Sequence, residues 1–195
     1  MPTIITDFDA VSLKNVTAQF KEGGTPSPGT SFGCAGSIEG ETESIVIEKK
    51  CAGTTKKTIT KPQKMTLTYN GHLPVQVLRD VFGLSNVGLK PGIYAYGQNS
   101  KPKEFVLTAD VVDEFEDVTK LIAFPATASA TGLKIQTIEN GAEEVAQIEL
   151  ELTVVVDDLG NLYYEAIVPE LEDSTVSTQW HTQFNRELVE AIATP

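Results

Sequence analysis

Cysteine, histidine and tryptophan are scarce in this sequence, and that scarcity excludes several kinds of site. Two cysteines and two histidines stand among 195 residues. His72 and His181 are too few for a typical zinc site, and no carboxylate or cysteine stands at ligand-like spacing from them. Cys34 and Cys51 are predicted to be reduced thiols, because no secretion signal accompanies them. We therefore expect neither a metal nor another cofactor.

Long apolar runs are also absent. No stretch approaches the roughly 18 to 20 apolar residues that cross a bilayer. The opening MPTIITDFDA lacks the basic start and apolar run of a signal peptide. These features predict a chain made in a cytoplasm and without a membrane partner.

Positive charge is in deficit. Lys and Arg number 15 against 27 Asp and Glu, giving a net charge of −12 at pH 7. Such a chain does not bind a polyanion nonspecifically. The length favours one domain, which we place at residues 41–195 and end with a helix, after an N-terminal segment and flexible loop or arm over residues 1–40.

Catalytic motifs are weak. Residues 21–40, KEGGTPSPGTSFGCAGSIEG, are rich in Gly, Pro, Ser and Thr and predict irregular structure. Gly29 to Gly33 match G-x-S-x-G, but Ser31 lacks the flanking strand and helix of a nucleophile elbow. No phosphate-binding glycine motif occurs. We expect a protein that is not an enzyme.

Alternating polarity predicts mostly strands. Strand candidates are ESIVIEKK, KMTLTYNGH ending in an Asn70-Gly71 turn, PKEFVLTADVVDEF, TKLIAFP and GLKIQTI. VAQIELELTVVVDD predicts a strand of about twelve residues that places Glu149 and Glu151 opposite an apolar face. Asn140-Gly141 predicts a hairpin inside an antiparallel meander from about Gly132 to Val168. The fold class is mainly β, an antiparallel sandwich or partly closed barrel.

Two segments have helical periodicity. LPVQVLRDVFGL predicts a short flanking α-helix, with Pro74 at its first position and Gly83 at its left-handed exit. STQWHTQFNRELVEAIA repeats apolar residues every four positions and predicts a C-terminal amphipathic helix. Trp180 and Phe184 in its stripe either close the core or contact a neighbouring subunit.

Charge is clustered on two sets of predicted strands. A lysine-rich hairpin, KKCAGTTKKTITKPQK, is either a solvated hairpin or a patch that docks on the acidic remainder of another copy. Its candidate subunit contacts are Lys49, Lys50, Lys56, Lys57 and Lys61. Carboxylates on separate strands form either an ordinary polar face or one negative surface. The candidates for that negative surface are Glu43, Glu104, Glu149 and Glu151.

The order of elements resembles the major tail tube proteins of long-tailed, non-contractile bacteriophages. The likeness covers roughly residues 40–190: MTLTYNGHLPVQVLRDVFGL, then YAYGQNSKPKEFVLTADVVDEF, then KLIAFPATASATGLKIQTIENGAEEVAQIELELTVVVDDLGNLYYEAI. The resemblance implies hexameric rings stacked into a hollow tube of a virion tail, with arms between rings. It also implies a tape-measure protein, a tail-tip baseplate and a terminator as partners, and DNA that passes through the lumen unbound.

Two other classes stay open. One is a tube subunit of a contractile injection system, which shares the ring and the lumen but needs a sheath-binding outer face. The other is a monomeric β-sandwich binding module, for which Tyr94 and Tyr96 are the available exposed-aromatic candidates. In the tube classes, carboxylates facing the lumen repel DNA phosphates.

Overall fold

A computed structural model describes residues 4–51, 53–135, 141 and 145–191. The chain is mainly antiparallel β with a few short helices, as predicted. The strands of this described part are β1 (Ala10–Glu22), β2 (Thr25–Pro26), β3 (Thr30–Ser31), β4 (Cys34–Cys51), β5 (Thr54–His72), β6 (Phe105–Asp113), β7 (Thr119–Ser129), β8 (Ile148–Val155) and β9 (Tyr164–Ile167). The helices are α1 (Val75–Phe82), a 3-10 turn (Val168–Glu170), α2 (Ser174–Gln179) and α3 (Arg186–Val189).

The strands form one antiparallel sheet. Its main order is β2-β1-β6-β7-β8-β5-β4, with β3 paired to β1 and β9 paired to β7. β1 and β4 approach each other, and just before β4 the amide of Phe32 donates to the carbonyl of Val16 in β1 over 2.8 Å. Over the described residues the sheet does not close into a barrel.

The main core lies on one face of this sheet. Ile148, Leu150, Leu152 and Val154 of β8 alternate onto that face and are buried, as the sequence pattern predicted. Helix α1 packs there too, because its apolar stripe buries Val77, Val81 and Phe82. Each such side chain contributes about 1.5 to 3 kcal/mol when fully buried.

Helix α1 is confirmed, with one correction at its start. Pro74 is the N-cap, with an extended backbone at φ −59° and ψ 143°, rather than the first helical residue. Gly83 ends the helix at φ 68°. A Cβ there would lie 2.1 Å from the carbonyl oxygen of Lys101, so glycine is needed both for conformation and for space.

The opposite face of β6 and β7 carries a second, smaller core. Val106, Leu121 and Ala123 face outward from the sheet and are covered by Trp180 and Phe184. β6 is therefore buried on both faces, which its sequence pattern did not indicate. None of the helices in the described ranges is long and apolar enough to cross a membrane.

A C-terminal helix is present as predicted, but it does not run through the whole predicted segment. The segment forms α2 and α3 with a non-helical stretch between them. Asp173 caps α2, and Asn185 accepts a hydrogen bond from the amide of Leu188 to start α3 afresh. Because Trp180 and Phe184 both insert into the second core, the chain bends to place them, and packing overrides helical periodicity.

The predicted Asn70-Gly71 turn is also wrong. β5 runs straight through both residues, which pair with β4 on one side and with Glu149 and Ile148 of β8 on the other. Backbone hydrogen bonds to two neighbours outweigh the turn preference of the dipeptide. Glycine is required because a Cβ at Gly71 would lie 2.5 Å from the hydroxyl of Tyr69.

The predicted meander is not the pairing of the described strands. β8 pairs over its full length with β5 and over only three positions with β7, while β9 pairs with β7. Residues 132–135 of the strand candidate GLKIQTI are not in a strand, and β8 has eight residues instead of about twelve. The remainder of GLKIQTI and Asn140 of the predicted hairpin turn lie outside the described residues.

Fewer residues of the segment 21–40 are irregular than the sequence predicted. β1 extends to Glu22, and β4 begins at Cys34. β4 contains Gly36 and Gly40 because a long partner strand supplies its hydrogen bonds along its length. The proposed division between an N-terminal segment and a β domain remains a prediction.

Candidate assembly surface

Five glutamates share the solvent face of three adjacent strands, and we call this surface the acidic face. In the sheet register Glu39 of β4 lies beside Thr68 of β5, which lies beside Glu151 of β8. Residues directly opposite each other in antiparallel strands point to the same side. The same alternation places the other members on that side, so the acidic face comprises Glu39, Glu41, Glu43, Glu149 and Glu151.

A single lysine bridges two carboxylates of the acidic face. The Lys134 ammonium lies 3.0 Å from Glu149 and 3.1 Å from Glu151. Hydrogen bonds to Glu149 and, to a smaller extent, to Glu151 raise the pKa of Lys134. Lys64 lies 3.0 Å from Glu43 in the same way. Glu39 and Glu41 form no ion pair within the described ranges, so they are the unneutralised charges of the face.

The structure brings three of the four carboxylate candidates together. Glu43, Glu149 and Glu151 share the acidic face, whereas Glu104 precedes β6, two strands from β8, and pairs with Lys21. Sequence reasoning missed Glu39, Glu41 and Lys134. Alternation in the segment SIEGETE was the available signal for the two glutamates, but the surrounding glycines predicted a loop.

Beyond the acidic face, β4 and β5 continue as a two-stranded hairpin. We call residues 44–61 the hairpin arm. β8 ends at Val155, opposite Lys64, so no third strand from the described ranges accompanies the arm. All described residues of the arm are exposed. From Lys61 to its tip the arm extends about 25 Å at the rise of a β-strand.

One face of the hairpin arm combines apolar and basic side chains. Ile47 lies opposite Ile59, Ile45 opposite Lys61, and Lys49 opposite Lys57. Ile45, Ile47 and Ile59 are 46%, 50% and 41% exposed. Like charges directly opposite each other destabilise a sheet, and exposed apolar side chains grouped on one face mark an interaction surface. These features fit a surface that binds an acidic partner.

The remaining contact candidates differ in placement. Lys50 lies 3.1 Å from Glu48, and Lys56 is exposed beside the tip. Trp180 and Phe184 are only 2% and 3% exposed and pack on each other within the chain. They close the second core, which corrects the expectation that they contact a neighbouring subunit.

A polar cluster beneath the C-terminal segment contains His181. Its Nε2 lies 2.8 Å from Asp110, and its Nδ1 lies 2.9 Å from the hydroxyl of Thr108. Thr108 is fully buried, so this hydroxyl is not open to a substrate. Ser31 lies in the two-residue strand β3 rather than on a strand-to-helix turn. Across the described part of the chain, no cluster of three metal-ligating side chains occurs.

Comparison with known proteins finds a likeness among solved structures. No family model matches the chain, and no curated protein matches it. A cryo-EM structure of the anti-feeding prophage cap, described as the AFP tube terminating cap, is similar with a TM-score of 0.46 and 11% sequence identity. The likeness covers 84% of this chain and 95% of that chain. At this level it does not assign a function here.

Proposed function

We propose that this chain is a structural subunit of a phage tail tube, not an enzyme. Its copies form stacked rings, six to a ring, and the acidic face of each copy lines a lumen that conducts DNA. The observation that carries the proposal is the continuity of that face with the hairpin arm, since both are built from β4 and β5.

The acidic face suits a conduit for DNA. Glu39 and Glu41 are exposed and lack a lysine partner among the described residues. A basic surface would hold phosphates by releasing their counterions, whereas carboxylates repel them. The threonines of β5 between the two acidic strands, Thr66 and Thr68, add neutral polar surface. DNA would therefore slide past without being held.

The hairpin arm supplies the contact between copies. Its apolar and lysine-bearing face is complementary in charge to the acidic remainder of the chain, since the chain as a whole has a net charge of −12. Complementary potentials speed association and fix register. The tape-measure protein, tail tip and terminator belong to the same proposal, as does a location in the virion tail.

Electron microscopy of the purified chain tests the proposal. We expect rings or tubes with a central hole in negative stain at high concentration, and species far above 21.0 kDa in sedimentation velocity. A chain that stays a monomer at every concentration, even with tail-tip complexes added to start assembly, contradicts the proposal.

A shortened chain isolates the role of the arm. Glu43 and Lys64 are cross-strand partners, so an Asn-Gly turn can replace residues 44–63 between them. Because the described residues removed are all exposed, we expect unchanged melting behaviour and a circular dichroism spectrum that lacks only the strand signal of the arm. Rings and tubes should be lost. Normal tubes from the shortened chain would remove the arm from the proposal.

A further inference from the structure

The turn between β6 and β7 presents an exposed aromatic ring among carboxylates. Phe115 at this turn is 75% exposed. The side chain of Asp113 accepts hydrogen bonds from the amides of Asp117 (3.1 Å) and Val118 (3.2 Å), which fixes the turn. Glu116 takes a left-handed backbone at φ 58°. We call residues 113–118 the acidic turn.

A concavity of about 430 Å³ lies in the long loop between α1 and β6. Its apolar lining comes from Val87, Leu89 and Ala95, and polar groups come from Ser85, Gln98 and Asn99. Hydrogen bonds in both directions between Ser85 and Ala95 (3.1 and 2.9 Å) hold the loop in shape. Val87 is 88% exposed, so the site offers apolar surface with nothing on it.

The charges of the two features are opposite. No acidic residue occurs between Asp80 and Glu104, whereas Lys90, Lys101 and Lys103 do. Lys103 pairs with Asp80 over 2.7 Å, and Lys90 and Lys101 form no ion pair with other described residues. On the acidic turn Glu116 pairs with Lys14 over 3.3 Å, which leaves Glu114 and Asp117 exposed to solvent.

The two features lie at opposite ends of one strand. The loop leads into Phe105 at the start of β6, and the acidic turn follows Asp113 at its end. The strand β6 between them has nine residues and is about 30 Å long. Complementary surfaces at opposite ends of a molecule do not meet within one copy but join copies head to tail.

We propose that Phe115 of one copy inserts into the concavity at Val87, Leu89 and Ala95 of the next copy. Lys90 and Lys101 there bind Glu114 and Asp117 of the acidic turn. This contact rests on the proposed function and names the second surface of the assembly, distinct from the hairpin arm. A central aromatic anchor surrounded by paired charges is the usual form of an interface hot spot.

A charge swap tests the contact directly. We expect E114K/D117K and K90E/K101E each to associate at least tenfold more weakly than the wild-type chain, because both charge pairs become repulsive. An equimolar mixture of the two variants should recover association, since every contact in an alternating stack then joins opposite charges. A mixture that associates no better than either variant alone overturns the proposal.

Disulfide trapping gives a second readout. In chains with Cys34→Ser and Cys51→Ser, we mix Phe115→Cys with Leu89→Cys under oxidising conditions and expect a covalent heterodimer. Val75, which is 64% exposed on α1 outside the concavity, supplies the control as Val75→Cys. Equal trapping of Leu89→Cys and Val75→Cys overturns the contact.

The outcomes separate this contact from the proposed function. Phe115→Ala should weaken association at least tenfold, while Ile135→Ala, at an 81% exposed site, should not. Normal tubes from Phe115→Ala and from both charge variants would overturn the contact and leave the tube proposal standing. Absence of any wild-type assembly, with no trapped heterodimer, would overturn both.

Discussion

Tyr69 brings its hydroxyl into the main core without a hydrogen-bond partner in the described structure. The ring is fully buried and packs edge-on against Phe32, with centroids 5.0 Å apart. Burial raises the pKa of Tyr69 to about 12, and the nearby Cys34 adds to the rise. The residue thus contributes apolar packing at neutral pH and a latent charge at alkaline pH.

This burial predicts a stability loss in alkali. The pKa of Tyr69 is higher in the folded chain than in the unfolded chain. Its contribution to the free energy of unfolding is therefore complete below about pH 10 and is lost as the pH rises towards about 12. The rise of the pKa of Tyr69 from about 10 to about 12 corresponds to at most about 2.7 kcal/mol of unfolding free energy. Tyr69→Phe should reduce the loss and, by removing an unpaired hydroxyl, raise the free energy of unfolding at pH 8 by up to about 1 kcal/mol.

Chemical denaturation at pH 8 and pH 11.5 measures both effects. Tyr96→Phe is the control, because Tyr96 is 46% exposed and should show neither. Burial also raises the pKa of Tyr163, together with a hydrogen bond to Glu165, so some alkaline loss persists in Tyr69→Phe. If Tyr69→Phe loses as much unfolding free energy between pH 8 and pH 11.5 as the wild-type chain, that result contradicts the buried environment of Tyr69.

At the scale of elements, the hairpin arm has two unlike faces. Ile47 lies on the face that carries Lys49, Lys57 and Lys61, whereas Val46 lies on the other. Ile47→Glu should weaken assembly about tenfold or more, because it removes apolar contact and disrupts the charge of the binding face. Val46→Glu, at a site 56% exposed, should leave assembly nearly unchanged. Sedimentation velocity distinguishes the two, and equal effects would count against a one-sided contact.

The C-terminal segment is a second element held by one side chain. The buried amide of Gln19 donates to the carbonyl of Trp180 over 3.1 Å and accepts from the amide of Phe184 over 2.7 Å. Gln19→Ala leaves both backbone groups unpaired in a buried place, which costs about 2 to 4 kcal/mol of unfolding free energy. Urea denaturation measures the cost. Gln76→Ala is the control, because Gln76 is an exposed residue of α1, and it should change the free energy of unfolding by less than about 0.5 kcal/mol.

At the scale of the whole molecule, charge placement matters more than total charge. Tubes of the wild-type chain should not bind duplex DNA. Glu39→Lys, Glu41→Lys and Glu151→Lys together should produce DNA binding that weakens steeply with salt, because lysines on one surface release counterions from phosphates. Asp158→Lys, Glu172→Lys and Glu187→Lys change the net charge equally at exposed sites off the acidic face.

Comparing the two triple variants separates placement from net charge. DNA held in the lumen should appear only with the first set, measured by gel shift of assembled tubes and by DNA ejection from particles carrying the variant. Unchanged ejection with the first set would count against a lumen lined by the acidic face. Equal DNA binding by both sets would point to net charge alone.

Local patterns in the sequence predicted much of the fold but few of its contacts. Strand alternation in β8 and the helix α1 were readable because each depends on neighbours along the chain. The carboxylates Glu149 and Glu151 followed from the same alternation. Lys134 did not, since only the fold brings it across to them. The glycines around Glu39 and Glu41 concealed a strand that a distant partner stabilises.

The sequence by itself determined the class of structure: a mainly antiparallel β chain, strongly acidic, with a lysine-rich hairpin. Composition and short-range periodicity suffice for these properties. Tertiary structure decided which strands are neighbours, where the C-terminal segment bends, and that five glutamates share one face. Each of those depends on pairing between residues far apart in the chain, where hydrogen bonding and burial override local preference at Asn70-Gly71 and between α2 and α3.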